Sequence, residues 1–237
     1  MATLDFSNGF LVEGTILKDG YIQLTQIATP TAPVSGQTRL YSKTDGKIYR
    51  IPFGGSEAEV GGGGAATGYK TKFIPASQIT PRSDTGATPG VYESSTYKVH
   101  FETLDFDPDI AQYGQFNFIM DEDWDRSTVK VKLLWMADAG AGNVVWSIQG
   151  QALSNDDAID AAWGTAVSVT DALTALLDNE LTDATGAVTI GGTPALADTI
   201  CFQVYRDATN GSDTFTGPAR LLGVWIQYNA TLSPSAW

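Results

Sequence analysis

Carboxylates are the only chemically capable side chains that cluster in this sequence. "DFDPDIAQYGQF" sets Asp105, Asp107 and Asp109 at alternate positions, as a calcium loop does. An EF-hand loop then needs Gly at its sixth position and Glu at its twelfth. Ile110 and Phe116 stand there instead, so that pattern fails, and a calcium site of another kind stays open. "DEDWD" packs Asp121, Glu122, Asp123 and Asp125 around Trp124. Like charges this close repel, and a cation or a basic partner surface would relieve them. A plain solvated loop is the simpler reading. Two carboxylates facing each other at about 5–10 Å could hydrolyse a glycoside, but no spacing in the sequence sets such a pair.

Other catalytic chemistry lacks its parts. His100 is the only histidine, set mid-run in "YKVHFET", and there is no G-x-S-x-G turn. A Ser-His-Asp or Cys-His mechanism would therefore lack its base. Cys201 is the only cysteine, which excludes an intrachain disulfide and a structural zinc. It reads as a buried small hydrophobe in "TICFQVY". "GGSEAEVGGGG" lacks the Lys-Ser/Thr ending of a phosphate-binding loop. No catalytic residue and no cofactor is expected.

Charge narrows the partners. The 237 residues carry 27 acids and 14 Lys plus Arg, a net of −13. Residues 1–95 hold eight of each, so the imbalance lies wholly in 96–237. Such a surface repels phosphate backbones, and direct nucleic-acid binding is not expected. "MATLDFSNGF" has no basic and apolar leader pattern, and no stretch is long and apolar enough for a membrane span. Synthesis in the cytoplasm is the expectation.

Two styles of sequence must position these groups. Residues 1–95 are broken up: a hairpin around Asp19-Gly20, a Pro-containing stretch, a second hairpin "RLYSKTDGKIYR" turning at Asp45-Gly46, the run Gly61 to Gly64, and a loop from Thr80 to Gly90. The hairpin register stays open between a two-residue loop and a three-residue loop with a Gly bulge. From about Tyr97 onward, strand-like runs follow one another. Val129, Val131, Leu133 and Trp135 share one face, with Lys130 and Lys132 beginning the other. Val144, Trp146, Ile148 and Ala152 alternate, as do Ile200, Phe202 and Val204, and Leu222, Val224, Ile226 and Tyr228. Residues 170–181 could form a three-turn helix or begin as strand. Trp124, Trp135, Trp146, Trp163 and Trp225 are expected as core bodies, with a sugar-stacking platform as the alternative. The expected fold is all-β: a C-terminal jelly-roll-like antiparallel β-sandwich at 96–237, with an extended N-terminal region of short hairpins at 1–95.

The Pro-rich lead followed by "RLYSKTDGKIYRI" is similar to an element of tailed-bacteriophage structural proteins. The runs "LDFDPD", "FNFIMDEDWD", "LLWMA", "VVWSIQGQAL", "QVYRD" and "LLGVWIQY" resemble the jelly-roll domains of phage head-decoration proteins, head fibres and tail fibres. The resemblance implies a homotrimer bound to the major capsid protein and located on the capsid surface of the virion. A hairpin too small to fold alone would be stabilised by packing between copies. Leu40, Tyr41, Ile48, Tyr49, Ile51 and Phe53 then become oligomer or capsid-interface residues. The function implied is capsid decoration, a cement or head-fibre role without catalysis. The alternative is a tail-fibre module that recognises host carbohydrate, marked by exposed aromatics beside paired carboxylates.

Overall fold

The computed structural model describes residues 16–18, 21–24, 26–60 and 68–230, with backbone alone for those of 16–23. The chain divides into two compact units, Met1–Ala66 and Thr67–Trp237. The four-glycine run lies outside the described residues.

In the first unit, β1 (Ile16–Lys18) and β2 (Tyr21–Gln23) pair as the expected hairpin, Lys18 opposite Tyr21. β3 (Thr38–Ser42), β4 (Ile48–Pro52) and β5 (Ala58–Glu59) form a three-stranded sheet in that order. The turn has three residues. Gly46 takes φ +80° and donates to the Lys43 carbonyl at 3.0 Å, while the Lys43 N–H donates to Lys47 O at 3.0 Å. Gly accepts that left-handed position without steric cost. The register follows: Tyr41 faces Tyr49 and Leu40 faces Arg50. A polar clasp adds to the third strand. Glu57 accepts from Lys43 Nζ at 2.5 Å, from the Tyr41 hydroxyl, and from Thr29 Oγ1 at 2.8 Å. The Lys43 bond, then the Tyr41 bond, hold Glu57 below the usual carboxylate range. Asp45 accepts the Tyr49 hydroxyl at 2.6 Å, which pushes that hydroxyl up to about 12.

The second unit is a β-sandwich. Its strands are β6 (Gly68–Pro75), β7 (Thr80–Pro81), β8 (Thr88–Glu93), β9 (His100–Phe106), β10 (Gln112–Ile119) and β11 (Trp124–Met136). They continue with β12 (Asn143–Leu153), β13 (Val167–Ala172), β14 (Glu180–Leu181), β15 (Ile190–Gly191), β16 (Thr199–Arg206) and β17 (Ala219–Ala230). One sheet runs β14-β11-β17-β9-β8, with β6 also on β17. The other runs β13-β12-β16-β10-β7, with β15 parallel to β12. The alternating apolar residues of both sheets meet between them. Trp146 packs edge-on to Phe106 at 5.1 Å and to Trp135 at 6.3 Å. Near the end of β16, Arg206 is fully buried. Its guanidinium donates twice to Asp213, at 2.7 and 3.0 Å, and to the carbonyls of Phe215 and Gly217. This tetradentate arrangement satisfies the charge that burial would otherwise leave exposed to a low dielectric.

Four expectations change. The unit boundary lies at 66/67 rather than 95/96, because β6, β7 and β8 add to the sheets of the sandwich and place Ala76, Ile79 and Ala87 in its core. These segments build no core of their own, which is why they read as loose chain. Residues 170–181 form no helix: β13 ends at Ala172 and Leu177 takes φ +66°. A bulge at the β11–β17 pairing, between Leu134 and Trp135, brings Leu221 rather than Leu222 into the core cluster. Trp225 is exposed and Trp163 half-buried, whereas Trp124, Trp135 and Trp146 are core. Among the described residues no helix is long and apolar enough to cross a membrane.

Candidate functional site

The two outward sheet faces differ in availability. On the β13-β12-β16-β10 sheet, Gln115, Gln203 and Gln149 stand in one row, and Tyr113, Tyr205 and Ser147 in the next. These groups satisfy one another. Gln115 Nε2 donates to Gln203 Oε1 at 2.8 Å, Ser147 bonds Ser168 at 2.7 Å, and Arg82 caps the Tyr113 ring at 3.8 Å. Gln203, Gln151 and Ser147 are buried. The middle of that face is thus occupied by its own polar contacts, while Asn117, Ile119, Ser168 and Thr170 around it are exposed.

The face formed by β6, β17 and β11 is open. Its strands are in register: Phe73 faces Trp225, which faces Lys132, and Thr71 faces Gln227, which faces Lys130. Tyr69 faces Asn229. Trp225 is 40% exposed, Phe73 38% and Tyr69 74%. The Phe73 and Trp225 rings lie 4.9 Å apart at 43°. Gly223 makes this possible, since a Cβ there would meet Phe73 Cζ at 2.3 Å. The missing side chain lets the Phe73 ring lie over the β17 backbone. Rows two residues apart are separated by about 7 Å and strands by about 4.8 Å. The result is an exposed aromatic platform of tilted rings bordered by amides, a hydroxyl and two lysines.

β6 holds this platform from its other side. Lys70 Nζ reaches Asp123 Oδ2 at 2.7 Å and Lys72 Nζ reaches Asp121 Oδ1 at 2.5 Å. Asp121 Oδ2 also accepts the Tyr228 hydroxyl at 2.6 Å. Burial alone would raise Asp121, but the bonds from Lys72 and Tyr228 outweigh it and hold the carboxyl below the usual range. The same arrangement, with burial the larger cause, pushes the Tyr228 hydroxyl up. The basic surface that "DEDWD" requires is thus supplied by the chain itself. Asp125 turns instead to the backbone and hydroxyl of Ser127, at 2.9 and 2.6 Å.

The other candidates separate. Asp105 accepts Thr103 Oγ1 at 2.6 Å and lies 3.5 Å from Arg220. Asp107 accepts the Asp109 N–H at 2.7 Å. Among the described residues no three His, Cys, Asp or Glu gather as a metal cluster. His100 sits exposed at the start of β9. Cys201 is half-buried rather than buried, and burial pushes its thiol up. A shallow depression, open to solvent, is lined by Met120, Asp121, Trp124, Arg126, Asp198 and Ile200. Both its Asp121 and its Asp198 are engaged, the latter by the Ala195 N–H at 2.7 Å. In the first unit Tyr41 and Ile51 are buried and Tyr49 half-buried, while Leu40, Ile48 and Phe53 are exposed.

Sequence reasoning missed Tyr69, Phe73 and Gly223 and placed Trp225 inside. The alternation of "YKTKFI" carried the signal for β6, with Tyr69, Thr71 and Phe73 on one side and Lys70, Lys72 and Ile74 on the other.

No family model and no curated protein matches the chain. Solved structures similar to it include the CBM22-2 xylan-binding domain of Paenibacillus barcinonensis Xyn10C, at 13% identity and a TM-score of 0.39, covering 64% of this chain and 91% of that one. Another is the C-terminal CBM6 of LamC from Zobellia galactanivorans, at 8% and 0.34, covering 66% and 98%. A third is the family 11 carbohydrate-binding module of Clostridium thermocellum, at 8% and 0.35, covering 67% and 87%. At scores this low the likeness says nothing of what this chain binds.

Proposed function

We propose that the protein is a non-catalytic binding protein whose sandwich recognises carbohydrate on the Trp225–Phe73–Tyr69 face. The observation that carries this reading is the open aromatic row. Exposed rings offer the apolar side of a sugar a flat surface, and Gln227, Asn229 and Thr71 offer donors and acceptors to its hydroxyls. The expected mark was aromatics beside paired carboxylates; the aromatics are present, but amides and lysines border them. In this reading the protein belongs to the surface of a tailed-phage virion, with the first unit as its attachment. Trp225→Ala should abolish retention on a glycan array without lowering the melting temperature. An array that stays blank with the unaltered protein overturns the proposal.

A second reading, capsid decoration by a homotrimer on the major capsid protein, is favoured by one feature of the first unit. By strand alternation Leu40, Ile48 and Val60 share one face of the β3-β4-β5 sheet, and all three are exposed. Packing between copies would cover them. Light scattering should then give a trimer mass that Leu40→Asp reduces to a monomer. A monomeric protein that does not bind empty capsids overturns this reading.

A further inference from the structure

We propose that the Trp225–Phe73–Tyr69 face selects acidic polysaccharide, its uronate carboxylates paired with Lys130 and Lys132. This rests on the carbohydrate reading above and names the class of glycan. The argument is one of charge. Residues 67–237 hold 21 acids and nine bases; of the arginines, Arg206 and Arg220 have a carboxylate within 4 Å, whereas Arg82 and Arg126, which lie away from the aromatic rows, do not. Lys43, Lys47, Lys70, Lys72 and Lys98 each have one, at 2.5–3.1 Å. Among the described lysine side chains only Lys130 and Lys132 have none. Both stand on the aromatic face, in adjacent outward rows of β11, directly across from Gln227 and Trp225.

No carboxylate stands in these aromatic rows; on the same sheet Asp105 lies farther along, opposite Arg220 and paired with it. The outward positions of β6 are Tyr69, Thr71 and Phe73, and those of β17 are Trp225, Gln227 and Asn229. A positive, acid-free aromatic strip on an otherwise acidic unit is complementary to a sparse anion, not to a neutral surface. A row spacing of about 7 Å places the two ammonium groups beside successive points of a polymer lying across the rings. Single-stranded nucleic acid also stacks on aromatics. It needs a continuous basic groove along its backbone, however, and two lysines within an acidic surround do not supply one.

The test is affinity electrophoresis of the full chain through gels containing alginate, a neutral β-glucan, or neither, with solution titration of a single-stranded DNA oligonucleotide. Alginate should retard the protein, 0.5 M NaCl should release it, and the neutral glucan should retard it little. Lys130→Gln with Lys132→Gln should weaken alginate binding by about tenfold, the effect of two exposed ion pairs near the top of their usual range. Lys130 is exposed and Lys132 half-buried on an outward row, and an unchanged melting curve confirms that folding is intact. Equal retardation by the neutral glucan, unaltered in the lysine variant, overturns this inference and leaves the carbohydrate reading standing. No retardation by either polymer overturns both. DNA binding at least as tight as alginate binding, lost in the lysine variant, also overturns the inference.

Discussion

Deleting residues 1–95 should unfold the sandwich, whereas deleting 1–66 should leave it intact. The difference is β6 to β8. β6 lies opposite eight residues of β17, Gly223–Ala230. An antiparallel ladder of that length makes roughly eight hydrogen bonds at about 0.5–1.5 kcal/mol net each, so its loss costs about 4–12 kcal/mol. Ile79 also leaves the core, and emptying the site of a buried Ile costs about 2–5 kcal/mol. Asp121 and Asp123 lose Lys72 and Lys70 in the same step. Together these reach or exceed the whole stability of an ordinary domain, about 5–15 kcal/mol. Tryptophan fluorescence in urea isolates the effect, because all six tryptophans follow residue 67. Residues 67–237 should give one cooperative transition, and residues 96–237 no folded baseline. A fragment 96–237 that unfolds with the midpoint and slope of 67–237 would refute the assignment of β6 to the sandwich.

Arg206→Met should destabilise the second unit by about 3–5 kcal/mol, because it leaves Asp213 charged and buried. The melting temperature followed by tryptophan fluorescence should fall by roughly 6–20 °C, and a change under about 2 °C would contradict the role given to this pair. Gly223→Ala should displace the Phe73 ring from Trp225 and weaken glycan retention while the protein stays folded; unchanged retention by gel electrophoresis would detach Phe73 from the site. The first unit should lose order in acid. Glu57 and Asp45 sit below their ordinary values of 4.5 and 3.8, so their contribution is present above those values and is lost as pH falls through the lower folded ones. Amide exchange at Tyr41 and Tyr49 should quicken below that window, and flat protection from pH 6 to pH 2.5 would contradict it.

The sandwich was legible because period-two alternation is a backbone property. "NVVWSIQGQAL" coincides with β12, and "YGQFNFIM" with β10 to within a residue. Failures came where residue type displaced pattern. Trp225 was placed inside for its size, although Val224 and Ile226 beside it already pointed inward and so turned it outward. The lysines of "YKTKFI" and the glycines before them made β6 resemble linker, because an edge strand shows one good face and borrows the other from a distant segment. The bulge at Leu222 arises from register, which depends on the partner strand and has no local signal. The Asp45-Gly46 loop left two registers open until Gly46 and its bond to Lys43 decided between them.

The pairing of Lys70 and Lys72 with "DEDWD" explains why the aromatic platform can exist at all. An edge strand with two exposed rings is a template for aggregation unless something fixes it. β6 is fixed on one side by the β17 ladder and below by two ion pairs from a loop that is itself tied to Tyr228. Its sequence therefore alternates between two functions, lysines that close the sandwich and aromatics that face outward. Lys130 and Lys132 have the same residue type but no such anchorage. On one small unit, lysines with carboxylate partners build structure and lysines without them border the rings, so the division of charge follows the division between scaffold and binding face.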